Sequence, residues 1–309
     1  MKQTSILIFF LLFSQSLISV DTDLVIKRDC IHIGEPLVIR ICLYPFEPSE
    51  MPEHKLLING NPVPKTNPYW IFFSVNSLIK DEAGKKSLSF ESPLFVDDKA
   101  GFMFDKEGEY KIALEFSGKK IEKSIKVLPV TETENSAFEK YKEKKNQKHL
   151  LGYLFGEWDG ESFRQAEATL KEFPKSTYSK LAALYYVTQR QSRGFDMLIE
   201  KNNIKLGDKV DMKKLKSDLL EMQKENEAII SSFDFKGDGF IEETAALLII
   251  RNNLIAFSIK EMPIDPVTET EIKKKLEDIK TNTVSKFNLV ELKKLEGAIA
   301  EFKEELQGK

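Results

Sequence analysis

Asp234, Asp238 and Glu242 fall within one short stretch, Asp234-Phe235-Lys236-Gly237-Asp238-Gly239-Phe240-Ile241-Glu242-Glu243-Thr244-Ala245. It is the one place in the sequence where oxygen ligands crowd at a spacing that chemistry could use. Carboxylate and carbonyl oxygens gathered in this way suit a hard cation. Other chemistries lack their parts. There is no G-x-S-x-G, no H-E-x-x-H, no Gly-rich phosphate loop before a helix and no Cys–His pairing. His32 and His54 stand alone and read as satisfied or exposed side chains rather than ligands. Gly156-Glu157-Trp158-Asp159-Gly160-Glu161 groups acids around a tryptophan. That suits a sugar site with paired carboxylates or, more simply, a helix start where Asp159 or Glu161 favours the dipole. No catalytic residue is assigned. The chain reads as a non-enzyme, with an unrecognised carboxylate site as an alternative.

The acidic stretch resembles the calcium loop of an EF-hand. In that family twelve residues wrap one cation, with side chains acting at positions 1, 3, 5, 9 and 12 and a backbone carbonyl at 7. Laid on this sequence, Asp234 is position 1, Asp238 is 5, Gly239 is the turn glycine, Phe240 is 7 and Glu242 is 9. The resemblance implies Asp234, Asp238, Phe240 (by its carbonyl) and Glu242 as metal residues, with Ca2+ as the cofactor. Lys236 stands at position 3 and Ala245 at position 12, where the family has a ligand. Affinity should therefore sit at the weak end, roughly millimolar. The alternatives are a genuine calcium-binding EF-hand protein and a helix-loop-helix that kept its turn without its metal. A second, silent hand fits Lys280–Glu291, with Lys280 and Val284 where ligands belong. Ile241 and Phe287, at position 8 of each loop, would then meet in a short two-stranded ribbon. The EF-hand-like pair covers roughly residues 212–303.

The elements that must position this loop begin with an export signal. Lys2, the apolar run Ile6–Phe13 and Ser14-Gln15-Ser16-Leu17-Ile18-Ser19 form the basic, apolar and small-residue regions of a signal peptide. The run is shorter than the roughly 20 residues a bilayer needs, and no later run reaches that length. The expectation is a secreted or periplasmic protein with no integral span after cleavage, an uncleaved anchor being the alternative. A net charge of -3 gives no field for nucleic acid or an anionic membrane. In an exported chain Cys30 and Cys42 would form a disulfide across a turn at Gly34-Glu35-Pro36, or else remain as two reduced cysteines.

Residues 20–130 read as all-β. Val25–Arg28 and Pro36–Leu43 pair around that turn; in the second run Leu37, Ile39, Ile41 and Leu43 alternate with Val38, Arg40 and Cys42. Leu56–Ile58 precedes the turn Asn59-Gly60-Asn61-Pro62. Trp70–Val75, Ser87–Phe90, Leu94–Val96, Gly108–Leu114 and Ile121–Leu128 complete seven or so strands. Tyr110, entering a strand just after Gly108, is similar to the tyrosine corner of immunoglobulin-like sandwiches. The resemblance implies an Ig-like β-sandwich, a fold that more often binds or docks than catalyses.

Pro129–Asn135 is the linker, and the period then turns helical. Ala137–Lys148 and Ser162–Phe173 read as helices. Thr177–Gln191 reads as another, with Leu181, Leu184 and Val187 as its apolar stripe. The join Phe173-Pro174-Lys175-Ser176-Thr177 resembles that between tetratricopeptide-like helices, with proline stopping one helix and serine capping the next. Arg193–Asp211 reads as a loop before the helix Met212–Ser232. The expected fold class is thus multidomain, all-β followed by all-α. Its parts are a signal peptide over 1–19, the sandwich over 20–130, a helical hairpin over 131–192 and an EF-hand-like domain over 193–309. The function this implies is an exported binding or scaffold protein with an unidentified protein partner.

Overall fold

The computed structural model describes residues 21–44, 54–63, 79–80, 86–97, 101–116, 118–143, 160–205, 211–260, 266–282 and 286–307. The expected signal peptide, the strand Trp70–Val75 and Glu157-Trp158-Asp159 lie outside them, whereas Glu161 stands in the first turn of a helix, as the helix-start reading expects. Sheets occupy the N-terminal half and helices the C-terminal half. The strands are β1 (Asp21–Ile26), β2 (Cys30–His32), β3 (Leu37–Tyr44), β4 (His54–Ile58), β5 (Asn61–Pro62), β6 (Ile79–Lys80), β7 (Lys86–Leu94), β8 (Val96–Asp97), β9 (Gly101–Phe102), β10 (Gly108–Phe116) and β11 (Lys119–Leu128).

One sheet runs β1-β3-β7-β6 and a second β2-β11-β10-β4-β5; β8 and β9 pair by themselves. β1 and β3 pair antiparallel, with Val25 opposite Arg40. β2 leaves that hairpin and joins the other sheet, parallel to β11. The two expected strands at 87–90 and 94–96 differ from the structure: 86–94 is one strand. Among the described residues β6 pairs only with Ser87 and Lys86 of it, and Pro93 stands opposite Val38 of β3. Asn59 and Gly60 both take positive φ, 49° and 80°, the requirement of a two-residue hairpin turn. The inward residues of both sheets share one core, including Leu24, Ile39, Ile41, Leu56, Ile112, Leu114, Ile125 and Val127.

The helices are α1 (Asn135–Tyr141), α2 (Gly160–Glu172), α3 (Lys180–Lys201), α4 (Met212–Ser231), α5 (Phe240–Lys260), α6 (Pro266–Asn282) and α7 (Lys286–Gln307). Single 3-10 turns at Glu132–Glu134 and Thr177–Ser179 lead into α1 and α3. Ser176 caps the second as its sequence position predicts, its hydroxyl accepting from Tyr178 N–H at 3.2 Å. The expected loop from Arg193 is corrected: α3 continues through Gly194 to Lys201. A Cβ on Gly194 would lie 3.0 Å from Met222 Sδ, so the glycine lets α4 approach closely. The expected ribbon between Ile241 and Phe287 is also corrected, since both residues stand inside helices. α5 is apolar nearly all round because it is enclosed. Phe240, Ile241, Ala245 and Leu248 face one core. Leu247 and Ile250 face another that they share with Ile272 and Leu276 of α6 and with Leu292, Leu295 and Ile299 of α7.

The two halves form one body. A single apolar cluster joins Val38, Phe95 and Phe102 of the sheets to Phe138, Tyr141, Tyr178, Tyr185, Ile230, Phe235 and Ile241 of the helices. Tyr141 stacks on Phe102 with centroids 5.3 Å apart. The Tyr178 hydroxyl donates to the Ile33 carbonyl at 2.8 Å. The linker is docked as well: Glu134 accepts from Thr177 N–H at 3.1 Å and from the Ser176 hydroxyl.

Candidate functional site

The turn between α4 and α5 lies against the outer face of the first sheet. α5 begins at Phe240, so the residues that a calcium loop would wrap around an ion are already helical from its seventh position onward. Gly237 and Gly239 take φ of 81° and 58°. A Cβ on Gly239 would stand 2.7 Å from Val38 Cγ1, and one on Gly237 3.0 Å from Arg28 Cγ. These glycines make the turn and let it touch the strands. Val38, Arg40 and Glu91 project from that outer face, Arg40 directly opposite Glu91 in the register. Glu91 is 4% exposed. It accepts from Phe240 N–H at 2.8 Å and from Arg40 Nη2 at 2.7 Å. A carboxylate from the sheet therefore satisfies one of the orphan N–H groups at the start of α5, where the helix dipole also favours it.

Asp238 is 5% exposed and meets two cations of this same chain. Arg28 Nη1 lies 2.9 Å from one carboxylate oxygen, and Lys180 Nζ lies 3.3 Å from the other. Arg28 comes from the link between β1 and β2; Lys180 is the first residue of α3. Arg28 also reaches Glu35 at 3.1 Å, and Glu35 accepts from His32 N–H at 2.8 Å. Burial pushes the Asp238 carboxyl up, against the pull of Lys180 and Arg28. Burial acts the same way on Glu35, but there the His32 side-chain hydrogen bond and the Arg28 charge outweigh it and hold the carboxyl below its usual range. The hydrogen bond to Glu35 raises the His32 imidazole.

The other expected ligands are also engaged, and separately. Asp234 is exposed and accepts from Lys236 N–H at 3.0 Å. Glu242 accepts from Gly237 N–H at 2.9 Å. The Phe240 carbonyl accepts from Asn288 Nδ2 at 3.1 Å and from the Thr244 hydroxyl at 2.7 Å. Ala245, where the family has its bidentate glutamate, is buried in the apolar cluster. Among the described residues no group of three His, Cys, Asp or Glu side chains is placed to hold a metal ion. The residues present do not fit calcium: the buried carboxylate has its charge matched by Arg28 and Lys180, and the carbonyl is aimed at α7. At the second expected hand, Lys280 pairs with Glu296 at 3.0 Å and Glu291 lies 3.6 Å from Arg251.

Cys30 and Cys42 are free thiols. Cys30 sits in β2, opposite Lys126 of the second sheet. Cys42 sits in β3 of the first, where the Ser89 hydroxyl lies 3.2 Å from its sulfur. The departure of β2 from the hairpin separates the two positions that the sequence places side by side. Arg28, Glu35, Arg40, Glu91 and Lys180 did not announce themselves in the sequence. Arg40 and Glu91 occupy the outward positions of alternating strands, where charge ordinarily means solvent. Only Glu35 carries a local signal, its place in the Gly34-Glu35-Pro36 turn. Among the described residues, no helix is long and apolar enough to cross a membrane. No protein-family model, curated protein or solved structure matches the chain.

Proposed function

We propose that the chain is an exported, non-enzymatic binding or scaffold protein in which an EF-hand-like turn serves as a metal-free latch between an immunoglobulin-like sandwich and a helical half. The observation that carries this reading is the pairing of Asp238 with Arg28 and Lys180. A guanidinium and an ammonium stand beside the carboxylate where a divalent cation would supply a similar field. A calcium ion would have to displace both and strip Asn288 from the Phe240 carbonyl.

The sandwich part of the reading is supported by strand order. The first sheet runs as A-B-E-D of such domains, and the second contains the C-F-G set with β2 added beside the last strand. Tyr110 supports it too: its phenol is raised by burial and receives a backbone hydrogen bond at Lys106, upstream at the corner as in a tyrosine corner. Its ring meets Phe104 edge-on at 5.3 Å. The tetratricopeptide-like hairpin is supported by the Ser176 cap. Sandwiches of this kind present edges and loops to protein partners, and a fused helical half holds such a surface at a fixed angle.

The test is calorimetric titration of the full chain with Ca2+, beside Asp234→Ala and Asp238→Asn. No saturable heat and no rise in melting temperature up to about 5 mM Ca2+, beyond the weak end of the EF-hand range, is the expected result. Asp238→Asn is expected to lower stability equally with and without the ion. A saturable heat that either substitution abolishes would replace this reading with that of a calcium-binding protein.

A further inference from the structure

Four polar atoms in the middle of the helical half are buried without a hydrogen-bond partner among the described residues: Gln191 Oε1, Gln223 Oε1, Asn226 Oδ1 and Asn226 Nδ2. Their residues stand on three packed helices that are tied together by hydrogen bonds at this point. Gln191 of α3 donates through Nε2 to the Leu248 carbonyl of α5 at 2.7 Å and lies 3.4 Å from Asn252 Oδ1. Asn252 of α5 donates to the Gln223 carbonyl of α4 at 2.7 Å. Asn226 is three residues along α4 from Gln223, hence on the same face, and is 1% exposed. The donors made by Gln191 fix its amide orientation, so its unpartnered oxygen is not a misassigned nitrogen.

This amide layer lies between apolar layers. On α3, Val187 belongs to the core that meets the sheets and Leu198 to a separate small cluster, with Gln191 between them. On α4, Ile230 and Met222 stand in the same relation on either side of Asn226. A run of apolar side chains through this level would have joined the clusters. Instead the chain places four amides there, and each orphaned group destabilises the fold if it stays unmatched. A native fold that tolerates several such groups in one place fills them.

We infer that this layer is a binding site for internal water between α3, α4 and α5. The orphan set is three acceptors and one donor, and it carries no charge. Water matches it: about two molecules supply four protons and enough lone pairs to satisfy the set while bonding to each other, each with the several partners a buried water needs. The site holds the three helices in one register through bonds that an apolar layer would leave unspecified.

The experiment reads long-lived internal water in the full chain by oxygen-17 relaxation dispersion, in the wild type and in Asn226→Leu. The expected result is a long-residence water signal that falls in the variant, together with a lower urea midpoint for the variant. Absence of a long-residence signal in the wild type, or a variant that keeps the signal and has a raised midpoint, would overturn the inference, because removing dry orphaned amides stabilises. Should Asn226→Leu fail to fold, a high-resolution crystal structure of the wild type decides. Ordered solvent within hydrogen-bonding distance of Asn226 supports the site, and a dry layer refutes it.

Discussion

His32 and Glu35 make the pH dependence of this fold a residue-level matter. His32 Nδ1 lies 3.5 Å from Glu35 Oε2, and this contact raises the imidazole, while burial and the Arg28 charge oppose it and Glu134 adds a smaller pull upward. A histidine raised on folding binds its proton more tightly in the native state. Its contribution is therefore complete below the unfolded value of about 6.5 and is lost as pH climbs through the higher native value. Glu35 runs the other way. Its native value is lowered, so its contribution is complete above the ordinary carboxylate value and is lost as pH falls through the native one. Melting temperature should consequently decline as pH rises from about 6.5 into the mildly alkaline range. His32→Gln should flatten that decline and, because the His32 hydrogen bond also lowers Glu35, should weaken the acid-side dependence, leaving there the part that Arg28 supplies. Differential scanning calorimetry across pH checks it. An unchanged alkaline slope in the variant would show that the His32–Glu35 contact does not shape stability.

At the scale of elements, the turn between β2 and β3 is what α1 rests on. Gly34 has φ of 79° and a Cβ there would meet the Phe138 ring at 2.8 Å, whereas Gly60 has nearly the same φ and open space around it. Gly60→Ala should therefore cost only the backbone strain, about 1–2 kcal/mol. Gly34→Ala should add overpacking of about 1–3 kcal/mol. Urea denaturation of the two variants separates the terms, and equal losses would refute the claim that α1 is seated on this glycine. What the sequence disclosed follows the same division between local and distant causes. β3, β4, β10 and β11 were legible because alternation and turn glycines act within a few residues. The Ser176 cap was legible for the same reason. The continuation of α3 through Gly194 was not, since the glycine answers to Met222 on another helix. The fate of Asp238 was not either: its partner Arg28 stands 210 residues away, and no spacing rule reaches that far. The glycines of this stretch are those of a turn, which precedes α5, yet their spacing could not say whose charges would meet Asp238.

At the scale of the whole molecule, the contacts between halves have the character of a core rather than of a hinge. Val38, Phe95 and Phe102 bury themselves with helical aromatics, Tyr178 and Tyr141 donate to the backbone at Ile33 and Gly34, and Glu91 caps α5. The ion pairs add little net free energy, since desolvation offsets most of their attraction, but stranding one partner of such a pair costs about 3–5 kcal/mol. Separating the halves would break the Arg28–Asp238 pair and take Glu91 from the Phe240 N–H, while exposing the shared aromatics. Chains beyond roughly 150 residues commonly unfold through intermediates, domain by domain, so the prediction distinguishes this architecture from two tethered domains. Helical circular dichroism reports the C-terminal half, and the near-ultraviolet signal of Tyr110, half-buried with its ring edge-on to Phe104, contributes a report from the sheets. The two should lose amplitude at one urea midpoint. Asp238→Asn should pull them apart, because it loosens the latch without touching either core, and the helical signal should then fall first. Two separate midpoints in the wild type would refute the single-body reading. Coincidence in the variant as well would place the coupling in the aromatic cluster and leave the ionic latch a minor part of it.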